Sequence, residues 1–450
     1  MGGIALSPKL QTMTEGPLGK QIFLYSVPII FTNVLQAMFN MADIAVVGQF
    51  AGSLALGAVG STSMIVMIFT GFLMGIGTGV NVLAARFFGA RDIKSFRLSI
   101  HTSAVISLII GLLLAFVGIV FARPLLTIMN TKPELIDGAV LYLQIYFAGL
   151  PAMALYNYGR GVLSAVGDTK RPLYYLFISG AINVVLNLVF VIAFRMDVAG
   201  VALASIIAQY VSAVMILFTL FRSDSEFKIC ISEMKLDRQQ SISLLTLGLP
   251  AAFQNSIFYI ANVFVQIGVN SFSATVVSGN SAATNSDTIV YCVFDAIYVA
   301  TASFISQNYG ARKRERIMKS YAVCTVYAFG AGIILGALLL LLDREFLSVF
   351  TSDPAVIDAG LDRLHVMAIS YCISTFMDNA LSASRGLGKS VVPTVIVIMG
   401  SCVFRIIWIY TVFAYFQTIT SLYLLYSFSW AITAIAANIY FFRCYRKMQI

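Results

Sequence analysis

The second half of this 450-residue chain repeats the first about 221 residues later. Pro28, Asn33 and Asn40 recur as Pro250, Asn255 and Asn262, and Gly89-Ala90-Arg91 recurs as Gly310-Ala311-Arg312. Pro133, Ile136 and Asp137 recur as Pro354, Ile357 and Asp358, and Gly167 and Pro172 recur as Gly388 and Pro393. The first set is offset by 222 and the others by 221, so a one-residue indel reconciles them. A repeat of this length restricts the fold to two copies of one unit packed against each other.

Composition decides the solvent. Hydrophobic residues make up 59% of the chain and charged residues 11%, whereas soluble domains carry about 25% charged residues. Lipid must therefore cover most of the surface. Segment Met1–Gln21 is polar and broken by Pro8, Gly16 and Pro17. The apolar run behind it, Ile22–Val47, is too long for the core of a cleavable signal and reads as a first span. Hydropathy gives spans at 22–49, 54–85, 99–121, 138–159, 173–194 and 198–221, then at 242–271, 276–306, 319–342, 361–384, 391–415 and 420–442. The expected fold is an all-α polytopic membrane protein of twelve transmembrane helices. Two parallel six-helix bundles, 1–222 and 241–450, are joined by a cytoplasmic linker, 223–240. An even number of spans per repeat relates them by an axis along the membrane normal, the arrangement of secondary transporters whose halves rock around a central site.

Positive charge sets the orientation. With the N-terminus cytoplasmic, cytoplasmic segments hold 23 of the 29 Lys and Arg, outer loops hold five (Arg123, Lys132, Arg195, Arg344, Arg363), and Arg405 falls inside a span. That bias places both termini in the cytoplasm and fits a bacterial inner membrane. The net charge of +9 then answers the anionic inner leaflet rather than a nucleic acid. Six scattered cysteines and two distant histidines form no metal or catalytic spacing, so neither an enzyme nor a metal cofactor is expected.

Ionisable residues at membrane depth are costly and default to function. Asp43 is the first half's single acid in a span. Without a cationic partner it takes a proton or recruits a cation. At about 1.5 Å rise per residue, Asn40, Asn187 and Ser205 come near its depth, with Asn183 one turn deeper. These oxygens suit a hard cation such as Na⁺ or a protonation switch. The second half offers Asp287, Asp295, Asp378 and Arg405. An ion pair between Arg405 and one of the last two acids is expected, leaving Asp287 as the candidate contact for a cationic substrate. One base against four acids favours a cation over a polyanion as cargo. Pro28 and Pro250 each remove a backbone hydrogen bond inside the first span of their half, predicting matched bends. Ala383-Ser384-Arg385-Gly386-Leu387-Gly388-Lys389-Ser390 imitates a phosphate loop but ends a membrane helix instead of opening one, so no ATP is expected.

Read in order on twelve spans, several of these residues resemble the multidrug and toxic compound extrusion (MATE) family, in its prokaryotic branch. The resemblance rests on Pro28, Asn40 and Asp43, on Arg86-Phe87-Phe88-Gly89-Ala90 with Ser306-Gln307-Asn308-Tyr309-Gly310-Ala311, on 165–172, and on Arg385-Gly386-Leu387-Gly388. It implies a monomeric antiporter, driven by H⁺ or Na⁺, that expels small amphiphilic and often cationic compounds. It also implies coupling roles for Asp43, Asn183, Asn187 and Ser205. Two positions depart from the family's habit: Asn187 stands where many members have Asp, and Phe39, a candidate cavity residue, stands where many have an aromatic hydroxyl. The alternative reading is a flippase for a lipid-linked glycan or another amphiphile.

Overall fold

Helices carry almost every described residue of the computed structural model, which covers 13–223 and 225–448. Residues 1–12, part of the polar leader, lie outside that range, as does residue 224 of the linker. The first half contains α1 (18–51), α2 (Gly52–Gly89), α3 (Ile93–Ile128), α4 (133–165), α5 (Lys170–Ala193) and α6 (Asp197–Arg222). The second contains α7 (Arg238–Val269), α8 (Ala274–Gly310), α9 (Arg314–Leu341), α10 (Pro354–Gly386), α11 (Val391–Phe416) and α12 (Ile419–Arg446).

Among the described residues, nine helical stretches are long and apolar enough to cross a membrane, ten with α4, which bends by 44°. The first stretch holds two crossings, because the chain reverses at Gly52 with φ 88°, a conformation that glycine alone adopts cheaply. Helix α10 completes the twelve; its 33 residues are ample, and its Arg363 is paired inside the protein with Asp287. Phe116, Val214, Val326 and Ile435 remain exposed, as a lipid-facing perimeter requires.

Matched geometry makes the repeat visible. Arg91 and Arg312 end the α2–α3 and α8–α9 turns with φ 56° and 57°, and Gly167 and Gly388 adopt φ 89° and 81°. Arg123 pairs with Asp137 at 2.5 Å, and Arg344 with Asp358 at 2.7 Å. Helices α5 and α11 both loosen to a π-helical turn near their ends, at Val189–Ala193 and Ile409–Phe413. Pro28 and Pro250 lie within α1 and α7, which both continue through them.

The halves meet symmetrically. Asn33 donates to the Cys292 carbonyl at 3.0 Å, and its counterpart Asn255 donates to the Gly71 carbonyl at 3.0 Å. A methyl group on Gly89 would lie 2.0 Å from the Gln307 carbonyl oxygen, and one on Gly310 would lie 1.9 Å from that of Arg86. Gly75 and Gly79 likewise press on the backbones of Ala252 and Gly248. Most of these contacts lie towards the face that carries both described chain ends. There Tyr25 bonds Ser303 at 2.8 Å, Ser303 bonds Asn81 at 2.9 Å, and Gln307 donates to the Ala165 carbonyl at 2.6 Å.

The strap before α1 crosses the same seam. The Met13 side chain is buried, and its amide donates to Gln307 Oε1 at 3.0 Å. Arg316 donates to the carbonyls of Met13, Glu15 and Gly16 and to Gln21 Oε1. Helix α1 thus starts against the second half, through Ile22, Tyr25 and Ile29, and ends inside the first. The linker is also docked: the Cys230 amide donates to His101 Nε2 at 2.9 Å, and Thr102 donates to the Lys235 carbonyl at 3.1 Å.

Between the halves lies a cavity of about 620 Å³. Its walls run from Asn81 and Arg385, beside the sealed seam, to Gln266, Val269 and Asn280 near the opposite ends of α7 and α8. The seam is shut at the termini-bearing face, and the cavity extends towards the other.

Candidate functional site

Two polar sites result, and they are separate. The first lies inside the first half, where α1, α5 and α6 converge. Asn187 donates to Asp43 Oδ1 at 2.5 Å and to Asn183 Oδ1 at 3.3 Å. Ser205 donates to Asp43 Oδ2 at 3.3 Å and accepts from Asn183 Nδ2 at 3.5 Å. The four side chains close a ring in which the hydrogen bonds to Asp43 come from neutral donors. No Lys, Arg or His pairs with Asp43 among the described residues. The spacing of Asn183 and Asn187, one helical turn apart on α5, puts both amides on the face that meets α1.

Asn187 is fully buried, and its Oδ1 has no partner. A buried acceptor without a donor costs free energy, and a cation or a proton donor placed there would relieve it. The ring therefore offers a carboxylate, an orphan amide oxygen and a hydroxyl at one point, a donor set that suits H⁺ or a hard cation.

Two companions expected from the sequence stand apart from this ring. Asn40 is exposed rather than turned towards Asp43. Phe39 does not line the central cavity; its ring fills the space where a Gly180 side chain would be, wedging α1 against α5.

The second site is the central cavity. Asp287, Asp295 and Asp378 all line it, as the sequence suggested, but their partners differ from expectation. Among the described residues Arg405 makes no ion pair. Its Nη1 donates to Asn262 Oδ1 at 2.8 Å, and its guanidinium lies over Phe258 and Tyr426, 4.8 and 4.5 Å from the ring centroids. The buried ion pair is instead Arg363–Asp287, at 2.6 Å. Arg363, expected in an outer loop, is only 4% exposed inside α10. Asp287 also accepts from the Tyr371 hydroxyl, so it is not a free contact for a cation.

Arg160 and Arg385 line the cavity too, because α4 and α10 run past the predicted span ends. Three acids thus face three arginines, with Arg405 behind the wall, and the excess of acid expected from the sequence does not exist. The repeat held a signal for this. Arg363 is the counterpart of Tyr142, which falls within the predicted fourth span, and Arg385 is the counterpart of Ser164, which lines the cavity as Arg385 does. Neither Asp295 nor Asp378 is held in an ion pair among the described residues.

The family model described as MatE matches residues 28–189 and, again, 250–411. The chain is 28% identical over 366 residues to the probable multidrug resistance protein YpnP of Bacillus subtilis, covering 81% of each. It is 22% identical over 407 residues to the probable multidrug resistance protein NorM of Thermotoga maritima, covering 88% of this chain and 86% of that one. A solved MOP superfamily transporter from Pyrococcus furiosus, described as having a binding pocket of reverse polarity, superposes with a TM-score of 0.91. It is 22% identical, and the match covers 98% of this chain and 99% of that one.

Proposed function

Because the chain belongs to the MATE family, we propose that it is a multidrug exporter of the bacterial inner membrane, an antiporter that couples inward movement of H⁺ or Na⁺ to outward movement of amphiphilic, often cationic compounds. The observation that carries the reading is the Asp43 ring: a carboxylate at membrane depth, held by Asn187 and Ser205 and free of any cationic side chain. The name multidrug resistance protein borne by the relatives supports the cargo class.

In this reading the termini-bearing face is cytoplasmic, so the cavity is open outward. Filling the Asp43 ring with H⁺ or Na⁺ neutralises the carboxylate and relaxes the hold of α5 and α6 on the far end of α1. The near end of that helix carries Tyr25 and follows the Met13 strap, both of which seal the cytoplasmic seam. One helix thus spans the ion site and the gate. Rocking of the six-helix bundles about the symmetric contacts then exposes the cavity to the cytoplasm for the next compound. Asp295 and Asp378 are the cavity carboxylates best placed to receive a cationic group. The protein acts as a monomer, without ATP and without a metal cofactor.

The test is efflux of a lipophilic cation from proteoliposomes, first under an imposed proton gradient and then under a sodium gradient. Uphill movement under one of them names the coupling ion. Equal, purely downhill leakage under both overturns the reading.

A further inference from the structure

The wall formed by α7, α10 and α12, with α11 behind it, holds more positive charge than its neighbours neutralise. Arg405 is fully buried, 0% exposed, and has no carboxylate within ion-pair distance among the described residues. Arg363 shares its single bonded carboxylate, Asp287, with Tyr371. Both guanidiniums lie on the ring of Tyr426, at 4.5 and 5.3 Å from its centroid, and Arg405 also lies on Phe258. Arg405 Nη2 and Arg363 Nε find no acceptor among the described residues. Arg363, Tyr426, Phe258 and Asn262 all line the cavity, and Arg405 stands directly behind the last three.

A buried cation left without a counter-charge is strongly destabilising, and an incoming anion relieves it best. Guanidinium suits this role because its planar donors match carboxylate or phosphate oxygens while its face stacks on aromatic rings. We propose that this wall is an anion subsite, which takes the carboxylate or phosphate group of an aromatic amphiphile whose ring system packs beside Tyr426 and Phe258. The inference rests on the cavity being the cargo space, and it narrows the cargo class. Compounds carrying both charges fit best, with the anion on the Arg363–Arg405 wall and any cationic group towards Asp295 and Asp378.

A matched pair of probes tests this: a xanthene dye with a free aromatic carboxylate, and its methyl ester. Binding to the full-length protein in nanodiscs is read by fluorescence polarisation, and efflux from proteoliposomes is read in parallel. The wild type is expected to bind the acid about tenfold more tightly than the ester, the worth of one hydrogen bond to a charged group. Arg405→Gln should bring the ratio close to one while leaving ester affinity within about twofold. The double variant Arg363→Gln/Asp287→Asn, which removes both charges of the ion pair together, should also lower the ratio. An unchanged ratio in Arg405→Gln, or no preference in the wild type although the ester is exported, overturns the subsite alone. Failure of the wild type to export either dye overturns the exporter reading and the subsite with it.

Discussion

Gly310→Ala should prise open the seam between the halves. Its new methyl carbon would sit 1.9 Å from the Arg86 carbonyl oxygen, where ordinary contact begins near 3.4 Å. The backbones of α2 and α8 must therefore part by about 1.5 Å, and neither atom belongs to a side chain that can swing away. Overpacking of this kind costs about 1–3 kcal/mol. The gain in helix propensity, up to about 1 kcal/mol, applies whether the seam is shut or open and so drops out of the balance. A penalty of about 2 kcal/mol confined to the shut state moves the equilibrium by about 30-fold. Spin labels at the exposed counterpart positions Lys94 and Glu315, in protein freed of its six cysteines, report the separation by double electron–electron resonance. The variant should gain a long-distance population, and Gly89→Ala should do the same, since its methyl would lie 2.0 Å from the Gln307 carbonyl oxygen. Gly330→Ala, whose methyl meets nothing within 4 Å, is the control. Distance distributions that stay at the wild-type value in both seam variants refute the seam as a close-packed gate.

Arg316→Ala removes four hydrogen bonds that hold the strap before α1, so amide exchange at 13–21 should accelerate at least tenfold while exchange in α3 stays unchanged. Asp287→Asn strands the Arg363 charge and should cost about 3–5 kcal/mol of stability, seen as a lower unfolding temperature in detergent. Adding Arg363→Met to that variant should recover most of the loss. Asn187→Leu removes both the donor to Asp43 Oδ1 and the orphan Oδ1; its dependence on the concentration of the coupling ion should shift to at least tenfold higher values, measured as half-saturation of driven efflux.

Much of the fold was legible because two signals are written locally. Apolar run lengths mark the spans, and the 221-residue offset marks the two copies. The residues of the Asp43 ring were legible from depth along the helices, since Asn187 and Ser205 share a level with Asp43 and Asn183 lies one turn deeper. Rotation about the helix axis was not legible. Asn40 lies near that level yet is exposed, and Phe39, expected at the cavity, packs on Gly180. The cavity charges were misread for a different reason. Hydropathy starts the tenth span only at 361 and leaves Arg363, at its edge, to the outer loop, whereas α10 begins at Pro354 and brings Arg363 against Asp287 of α8, 76 positions away in sequence. Charge balance in a membrane predicts a carboxylate partner for Arg405, but aromatic rings and Asn262 surround it.

If Asp43 couples the ion gradient to transport, the Asp43→Asn variant loses gradient-driven transport while keeping its cargo site. Asparagine preserves the size and polarity of the side chain, so the protein should fold, bind cargo in the central cavity and exchange it passively. Proteoliposomes of the variant, loaded with a fluorescent amphiphilic cation, should show no uphill efflux under either a proton or a sodium gradient, while wild-type vesicles respond to at least one. Gradient-driven efflux at the wild-type rate from Asp43→Asn vesicles would rule out Asp43 as the coupling carboxylate and place coupling elsewhere.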